Sequence, residues 1–261
     1  MSTAQTQSPE LQISDLLARA YRFRILGTCF AYPGLGDGAR IHQALEAAVC
    51  PQTLAVLPSG SAVLEAWAAL DDETLRAEYT RLFMGRTPCS LHAATYAGST
   101  QLAGPGPLLA DISGFYQAFG LDTSDEDAER PDHLAVQLGF YGILLVKEAY
   151  AISEGWGGHA EVTHKAVARF LTDHLGGWQG VLLPRLREQN AASPYPETAA
   201  WLDEGLADEC ARLGVDPTPF KRPLEDPLQA DEFICPHGAG GSARVPAEQP
   251  VHFEHREGAQ H

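Results

Sequence analysis

Residues 130–145 read RPDHLAVQLGFYGILL, and this stretch decides the fold class. Proline fixes its own φ near the helical value and lacks the N–H that a first helical turn leaves without a partner, so Arg130-Pro131 predicts the start of a helix. One apolar stripe then follows at helical spacing, formed by Leu134, Leu138, Tyr141 and Leu145. The stretch therefore predicts a long, buried helix.

Asp132 and His133 follow that proline, and we predict that they lie in the first turn of the helix, where the helix dipole favours a carboxylate. Adjacent helical residues point about 100° apart, which argues against an acid–base dyad made by this pair. The sequence also lacks the Gly-x-Ser-x-Gly, Gly-x-x-x-x-Gly-Lys and His-Glu-x-x-His motifs of common enzyme sites. We therefore predict no catalytic residue.

Helical spacing also dominates the rest of the chain, and no convincing strand alternation appears. The predicted class is all-α, a single helical domain of about nine or ten helices over residues 11–213. Residues 1–10 are predicted to be a flexible N-terminus, and the Pro- and Gly-rich residues 214–261 an extended or disordered tail. Beside the opening helix, the predicted helices span residues 13–30, 39–49, 63–70, 74–83, 107–119, 159–174, 178–189 (kinked or restarted at Pro184) and 196–213.

Charge and composition narrow the class of partner. The 261 residues carry 34 acidic and 18 basic side chains, a formal net charge of −16. So acidic a surface repels nucleic acid and anionic membranes and favours cationic partners. The first ten residues lack the apolar core of a signal peptide, and no run of about 18 apolar residues predicts membrane insertion. Five scattered cysteines without a Cys-x-x-Cys pair indicate a reducing compartment, so we expect a cytoplasmic protein.

A metal site in the tail is the first alternative. Zinc sites usually show two tight ligand pairs, whereas the tail offers a looser set, and we predict no metal site. A metal-dependent hydrolase using these Cys and His ligands nevertheless stays as an alternative function. The residues concerned are Cys235, His237, His252, His255 and His261.

The carboxylates of residues 122–129 lack the pattern of a calcium loop, but together they surround the predicted mouth of the opening helix. A basic peptide would be attracted there and held by guanidinium–carboxylate hydrogen bonds. Nearby apolar residues would suit a peptide that also has a hydrophobic segment. Candidate linings are Trp67, Leu70, Tyr79, Leu82 and Phe83.

Three blocks, in this order, resemble a known family. They are Tyr79-Thr-Arg-Leu-Phe-Met-Gly85, the block Asp111–Leu121 with its Phe-Tyr-x-x-x-Gly-Leu pattern, and Pro131-Asp-His-Leu134 followed by Leu138 and Phe140. Together they are similar to the TorD/DmsD/NarJ group of redox-enzyme maturation chaperones. The Cys- and His-bearing tail, which extends beyond the common core, looks like the group that serves periplasmic relatives of dimethyl sulfoxide reductase.

The resemblance implies an all-helical cytoplasmic chaperone without catalytic turnover or a cofactor of its own. Its implied partner is the catalytic subunit of a molybdenum-containing oxidoreductase, whose twin-arginine leader and apo form it binds while the cofactor is inserted before export. Asp132 and His133 fall on positions implicated in leader binding, and Leu82 and Phe83 match the family's apolar contact segment. Trp67 and Tyr79 complete the predicted binding set. A structural delta-type subunit retained in the enzyme complex is the remaining alternative.

Overall fold

The computed structural model describes residues 8–48, 59–68, 70–84, 89–96, 105–121 and 129–221. Within these ranges the chain forms nine α-helices and two short 3-10 helices, and no strand beyond one isolated bridge, so the predicted all-α class is confirmed. The domain limits at residues 10 and 214 stay a prediction. The α-helices are α1 Pro9–Cys29, α2 Asp37–Ala48, α3 Ser59–Ala68, α4 Asp72–Phe83, α5 Gly106–Ala118, α6 Leu134–Ser153, α7 Gly157–Asp173, α8 Leu182–Glu188 and α9 Tyr195–Leu213.

The centre of the fold is the antiparallel pair α1 and α6. Glycines permit the close approach: a Cβ added to Gly27 would lie 3.0 Å from the carbonyl of Ala135, and one added to Gly142 would lie 3.1 Å from the carbonyl of Ala20. The predicted stripe of α6 is buried, with all four side chains at 0% exposure. Helix α7 packs along α6, and α9 contacts both α1 and α3.

Helix α6 is long and apolar enough, by length and composition alone, to cross a membrane. More than half of its apolar window is buried against other described helices, and its buried side chains include Gln137 and Glu148. A helix that is apolar on most sides is expected at the centre of a helical bundle. Burial therefore accounts for the composition of α6.

The predicted helix over 178–189 is wrong at its first turn. Residues Leu175–Trp178 form a 3-10 helix, and Gly180 then adopts a left-handed φ of 72° before α8 begins at Leu182. Pro184 lies inside the first turn of α8, where a proline costs no backbone hydrogen bond. The restart is thus set by a glycine four residues before the proline.

A buried ion pair joins three helices near the middle of the α1–α6 pair. The carboxylate of Glu209 on α9 is fully buried and accepts a hydrogen bond of 2.6 Å from Arg19 Nε on α1. It also accepts a 2.6 Å bond from the Tyr141 hydroxyl on α6 and lies 3.4 Å from an Arg22 guanidinium nitrogen. We call these four residues the Glu209 cluster. It fixes α9 across the middle of the pair.

Candidate functional site

Helix α6 begins at Leu134, three residues after the predicted start. His133 is the N-cap residue, with extended backbone (φ −69°, ψ 134°), and its Nδ1 accepts a 3.2 Å hydrogen bond from the Ala135 N–H. The prediction that Asp132 and His133 lie in the first helical turn is therefore wrong. Both residues stand in the turn that precedes the helix.

Pairing with a distant part of the chain explains this later start. Residues 89–96, called here the bridging segment, lie beside the turn before α6. The Ala93 N–H donates to the carbonyl of Asp132 over 3.0 Å, and the Leu134 N–H donates to the carbonyl of Leu91 over 2.8 Å. Extended backbone is needed for such pairing, so the helix cannot begin until it ends.

The side chain of Asp132 continues the same connection. It is 0% exposed, and its Oδ2 accepts a 2.9 Å bond from the Ala94 N–H of the bridging segment. Arg130 lies 3.2 Å from its oxygens and His92 Nδ1 lies 3.4 Å away. Burial alone would raise the pKa of the Asp132 carboxyl, but these hydrogen bonds and charges outweigh burial and lower the pKa below its ordinary value.

His133 is 4% exposed, and burial is the main cause that lowers its pKa to about 4. Glu129 and Asp132 act to raise this pKa, whereas His92 and Arg130 act to lower it. The ring is therefore neutral at pH 7. Because Nδ1 accepts the cap hydrogen bond, the proton of the neutral ring is assigned to Nε2, which makes His133 a donor from that atom.

A groove of about 470 Å³ runs between α1 and α6 and ends at this turn. Its floor consists of small residues, Gly27, Ala31, Ala135 and Gly139. Glu129, His133 and Tyr32 line one end, while Arg24 lines the other. The groove thus offers an apolar floor with a carboxylate at one end and a guanidinium at the other.

Three of the predicted apolar residues come together behind that groove. Trp67, Tyr79 and Phe83 all pack around Tyr195 of α9, with ring centroids 6.3, 6.2 and 5.0 Å from its ring. The Tyr79 ring also meets the exposed Tyr32 edge-on at 5.4 Å. The aromatic cluster therefore reaches the groove through Tyr32.

Most of the predicted apolar set lies in the core rather than at the surface. Trp67, Tyr79 and Leu82 are 2%, 4% and 1% exposed. The indole of Trp67 donates to the Thr198 hydroxyl over 3.1 Å. Phe83 and Leu70 are only partly buried, so they are the members of the set that solvent reaches. The role of this set in leader binding stays a prediction.

The bridging segment is also held from its far side. Tyr96 stacks on Phe220, with ring centroids 6.0 Å apart, and packs edge-on against Trp178 at 5.3 Å. The Phe220 N–H donates to the carbonyl of Gly177 over 2.8 Å. Residues after α9 thus fold back and pack against the bridging segment.

Sequence reasoning missed His92, Tyr32 and Gly27. His92 lies within a loop without periodicity, and only its long-range contact with Asp132 gives it a role. Tyr32 lies two residues beyond the predicted helix over residues 13–30, and an aromatic residue just after a buried helix is a usable signal for a surface site. Gly27, within the same predicted helix, carries no local signal of its contact with α6.

No group of three or more potential metal ligands occurs in the part of the chain that the structure describes. The tail residues Cys235, His237, His252, His255 and His261 lie outside the described residues, as does most of the acidic run before Glu129. The metal-dependent alternative therefore rests on sequence alone.

Comparison with known proteins supplies the family. The family model described as "Nitrate reductase delta subunit" matches residues 42–183, just over half of the chain. The chain belongs to this family. The matched range contains the bridging segment, the turn before α6 and all three blocks that resemble the TorD/DmsD/NarJ group, and membership in that group is confirmed.

Three curated relatives carry names of assembly chaperones. The chain is 34% identical over 152 residues to the selenate reductase assembly chaperone protein of Thauera selenatis. This match covers 56% of this chain and 74% of the relative. The chain is 32% identical to the chlorate reductase assembly chaperone protein of Ideonella dechloratans, over 57% of this chain and 75% of the relative. The perchlorate reductase assembly chaperone protein of Dechloromonas aromatica (strain RCB) is 29% identical to the chain, and the match covers 72% of this chain and 85% of the relative.

Proposed function

We propose that this chain is a cytoplasmic maturation chaperone for the catalytic subunit of a molybdenum-containing oxidoreductase. It binds the twin-arginine leader and the apo form of that subunit, assists cofactor insertion before export, and has no catalytic turnover of its own. The named roles of its family relatives support the chaperone assignment. The observation that carries the leader assignment is the groove between α1 and α6.

The chemistry of the groove suits an export leader. Such a leader is cationic at its start and apolar after it. The floor of small residues admits the backbone and side chains of an extended apolar segment, and the neutral ring of His133 adds a donor without adding positive charge. Glu129 supplies negative charge at the same end. Affinity is therefore expected to fall as salt screens that charge.

Filling the groove tests the proposal. Among the described residues nothing lies within 4 Å of a Cβ added to Gly139 on α6, so Gly139→Phe places a ring in the groove without a backbone clash at its base. Gly114→Phe on α5 is the matched control, because Gly114 is a helical glycine with equally open space that does not line the groove.

We expect Gly139→Phe to weaken binding of the partner's leader peptide at least tenfold in calorimetry and to reduce the yield of active reductase in co-expression. Gly114→Phe should leave both unchanged. Equal leader affinity in the two variants, with normal reductase maturation, would contradict the proposal. Recovery of this chain as a stoichiometric subunit of the exported enzyme would instead support a retained delta-type subunit.

A further inference from the structure

We infer that Glu129, and not Asp132, is the carboxylate that contacts the cationic side chains of the leader, and that Asp132 is a positioning residue. Asp132 acts by holding the bridging segment against the start of α6. This inference rests on the proposed leader-binding function and assigns distinct roles to two acids three residues apart.

The surroundings of Asp132 make it a poor ligand for an incoming guanidinium. Its side chain is fully buried, and its oxygens already serve the Ala94 N–H, Arg130 and His92. An arginine from another chain would have to displace these partners and carry its charge into a buried position. Removing a buried charge from its partners is strongly unfavourable, so an exposed carboxylate is the better contact.

Glu129 has the properties that Asp132 lacks. It is exposed and lines the groove beside Tyr32 and His133. Its Oε1 accepts a 3.0 Å hydrogen bond from the Arg130 N–H, which orients the side chain. An ionised carboxylate offers about four acceptor sites, so this one bond is compatible with a guanidinium bound in the two-point manner that arginine favours.

The opposite end of the groove gives the peptide a direction. Arg24 lies on α1, whereas Tyr32 lies beyond the end of that helix at Cys29. Its side chain crosses α6 at Gly142, where its Cγ lies 2.8 Å from the position of an added Cβ. A cation therefore meets attraction at the Glu129 end and repulsion at the Arg24 end. The arginines of the leader bind at Glu129, and the apolar segment extends toward Arg24.

Peptide binding to the full-length chain tests this assignment. The probe is a synthetic peptide with an Arg-Arg pair followed by about ten apolar residues, and its comparison peptide carries citrulline, which is isosteric but uncharged, at both arginines. Each is titrated against wild type, Glu129→Gln, Asp132→Asn, Asp132→Ala and the control Glu161→Gln at low and moderate salt.

We expect Glu129→Gln to weaken binding of the arginine peptide about fivefold at low salt, to flatten the salt dependence and to leave the citrulline peptide unaffected. Asp132→Asn should bind both peptides within about twofold of wild type, because an amide oxygen still accepts from Ala94. Asp132→Ala should weaken both peptides equally and speed amide exchange at Ala93 and Ala94. Glu161→Gln, the same charge change on an exposed face of α7 outside the groove, should weaken neither.

Wild-type affinity in Glu129→Gln, combined with an arginine-specific loss in Asp132→Asn, would overturn the inference. So would equal binding of the two peptides by wild type, although leader binding itself would then stand. If wild type bound neither peptide, both the inference and the proposed function would fail. Glu129 is exposed, so Glu129→Gln reports on binding even if Asp132→Ala does not fold.

Discussion

One half of the α1–α6 pair, from the middle of both helices to the start of α6, is packed differently at its two ends. At the end near the middle of the helices, called here the closed end, α9 supplies the buried Glu209 carboxylate to Arg19 on α1 and Tyr141 on α6. At the end beside the start of α6, called here the open end, a groove runs along small residues of both helices. The closed end provides stability, and the open end leaves polar and apolar groups accessible to a ligand.

The difference also appears in how buried charge is used. At the closed end, the pKa of the Tyr141 hydroxyl is raised well above its ordinary value, first by burial and then by the charge of Glu209. At the open end, Asp132 is equally buried but holds the bridging segment through a backbone amide. The Glu209 carboxylate therefore joins helices, whereas the Asp132 carboxylate positions the bridging segment.

Breaking the closed end should have the largest effect. Glu209→Ala leaves Arg19 and Arg22 buried beside no carboxylate at that position, and we expect a loss of about 3–5 kcal/mol in the free energy of unfolding. Urea denaturation measures it. Glu161→Ala is the control, since Glu161 pairs with Lys165 on an exposed helix face, where an ion pair contributes little to the free energy of unfolding. Similar losses in the two variants would show that the cluster does not join the helices energetically.

The open end should respond to pH. The pKa of His133 is about 4 in the folded chain, below its ordinary value of 6.5, mainly because of burial. Between these two values the unfolded chain binds a proton that the folded chain does not, so stability is lost as pH falls from about 6.5 toward 4. Burial also lowers the pKa of His174, which adds a loss of the same sign.

We expect His133→Asn, which retains an N-cap acceptor, to remove about 2 kcal/mol of the stability loss between pH 7 and pH 5. The part of the pH dependence of the unfolding free energy that remains in this variant is expected to come from His174. Unfolding free energies from urea curves at four or five pH values test this, with His159→Asn, an exposed histidine, as control. An unchanged pH slope in His133→Asn would show that His133 is not held neutral by burial.

Local sequence patterns predicted the buried face of α6 better than its first residue. The stripe Leu134, Leu138, Tyr141 and Leu145 follows from spacing alone, and each of its members is buried as predicted. The start of α6 was misplaced because the backbone pairing with the bridging segment joins residues about forty positions apart. The helix preference of Pro131 depends only on adjacent residues, so it predicted a helix at Asp132 and His133, where pairing with a distant segment imposes extended backbone.

The same limit applies to the candidate site. His133 was singled out from its motif and does line the groove, but Gly27 lies on α1 and Tyr32 just after it, and only the packing of α1 on α6 brings them there. Trp67 and Leu82 were selected by their apolar character, which a core residue and a ligand contact share. Composition therefore identifies which residues are apolar, while exposure depends on the tertiary fold.

Gly139 and Gly142, one turn apart on α6, show the difference in packing between the two ends. A Cβ at Gly142 would meet the Ala20 carbonyl at 3.1 Å, whereas within the described chain nothing lies within 4 Å of a Cβ at Gly139. Replacing a helical glycine by alanine gains about 0.5–1 kcal/mol when space permits. Gly139→Ala should therefore stabilise the chain by that amount, and Gly142→Ala should gain nothing or lose up to about 1 kcal/mol, because backbone must move. Equal gains in urea denaturation would mean that an added Cβ is accommodated beside Gly142 as easily as it is beside Gly139.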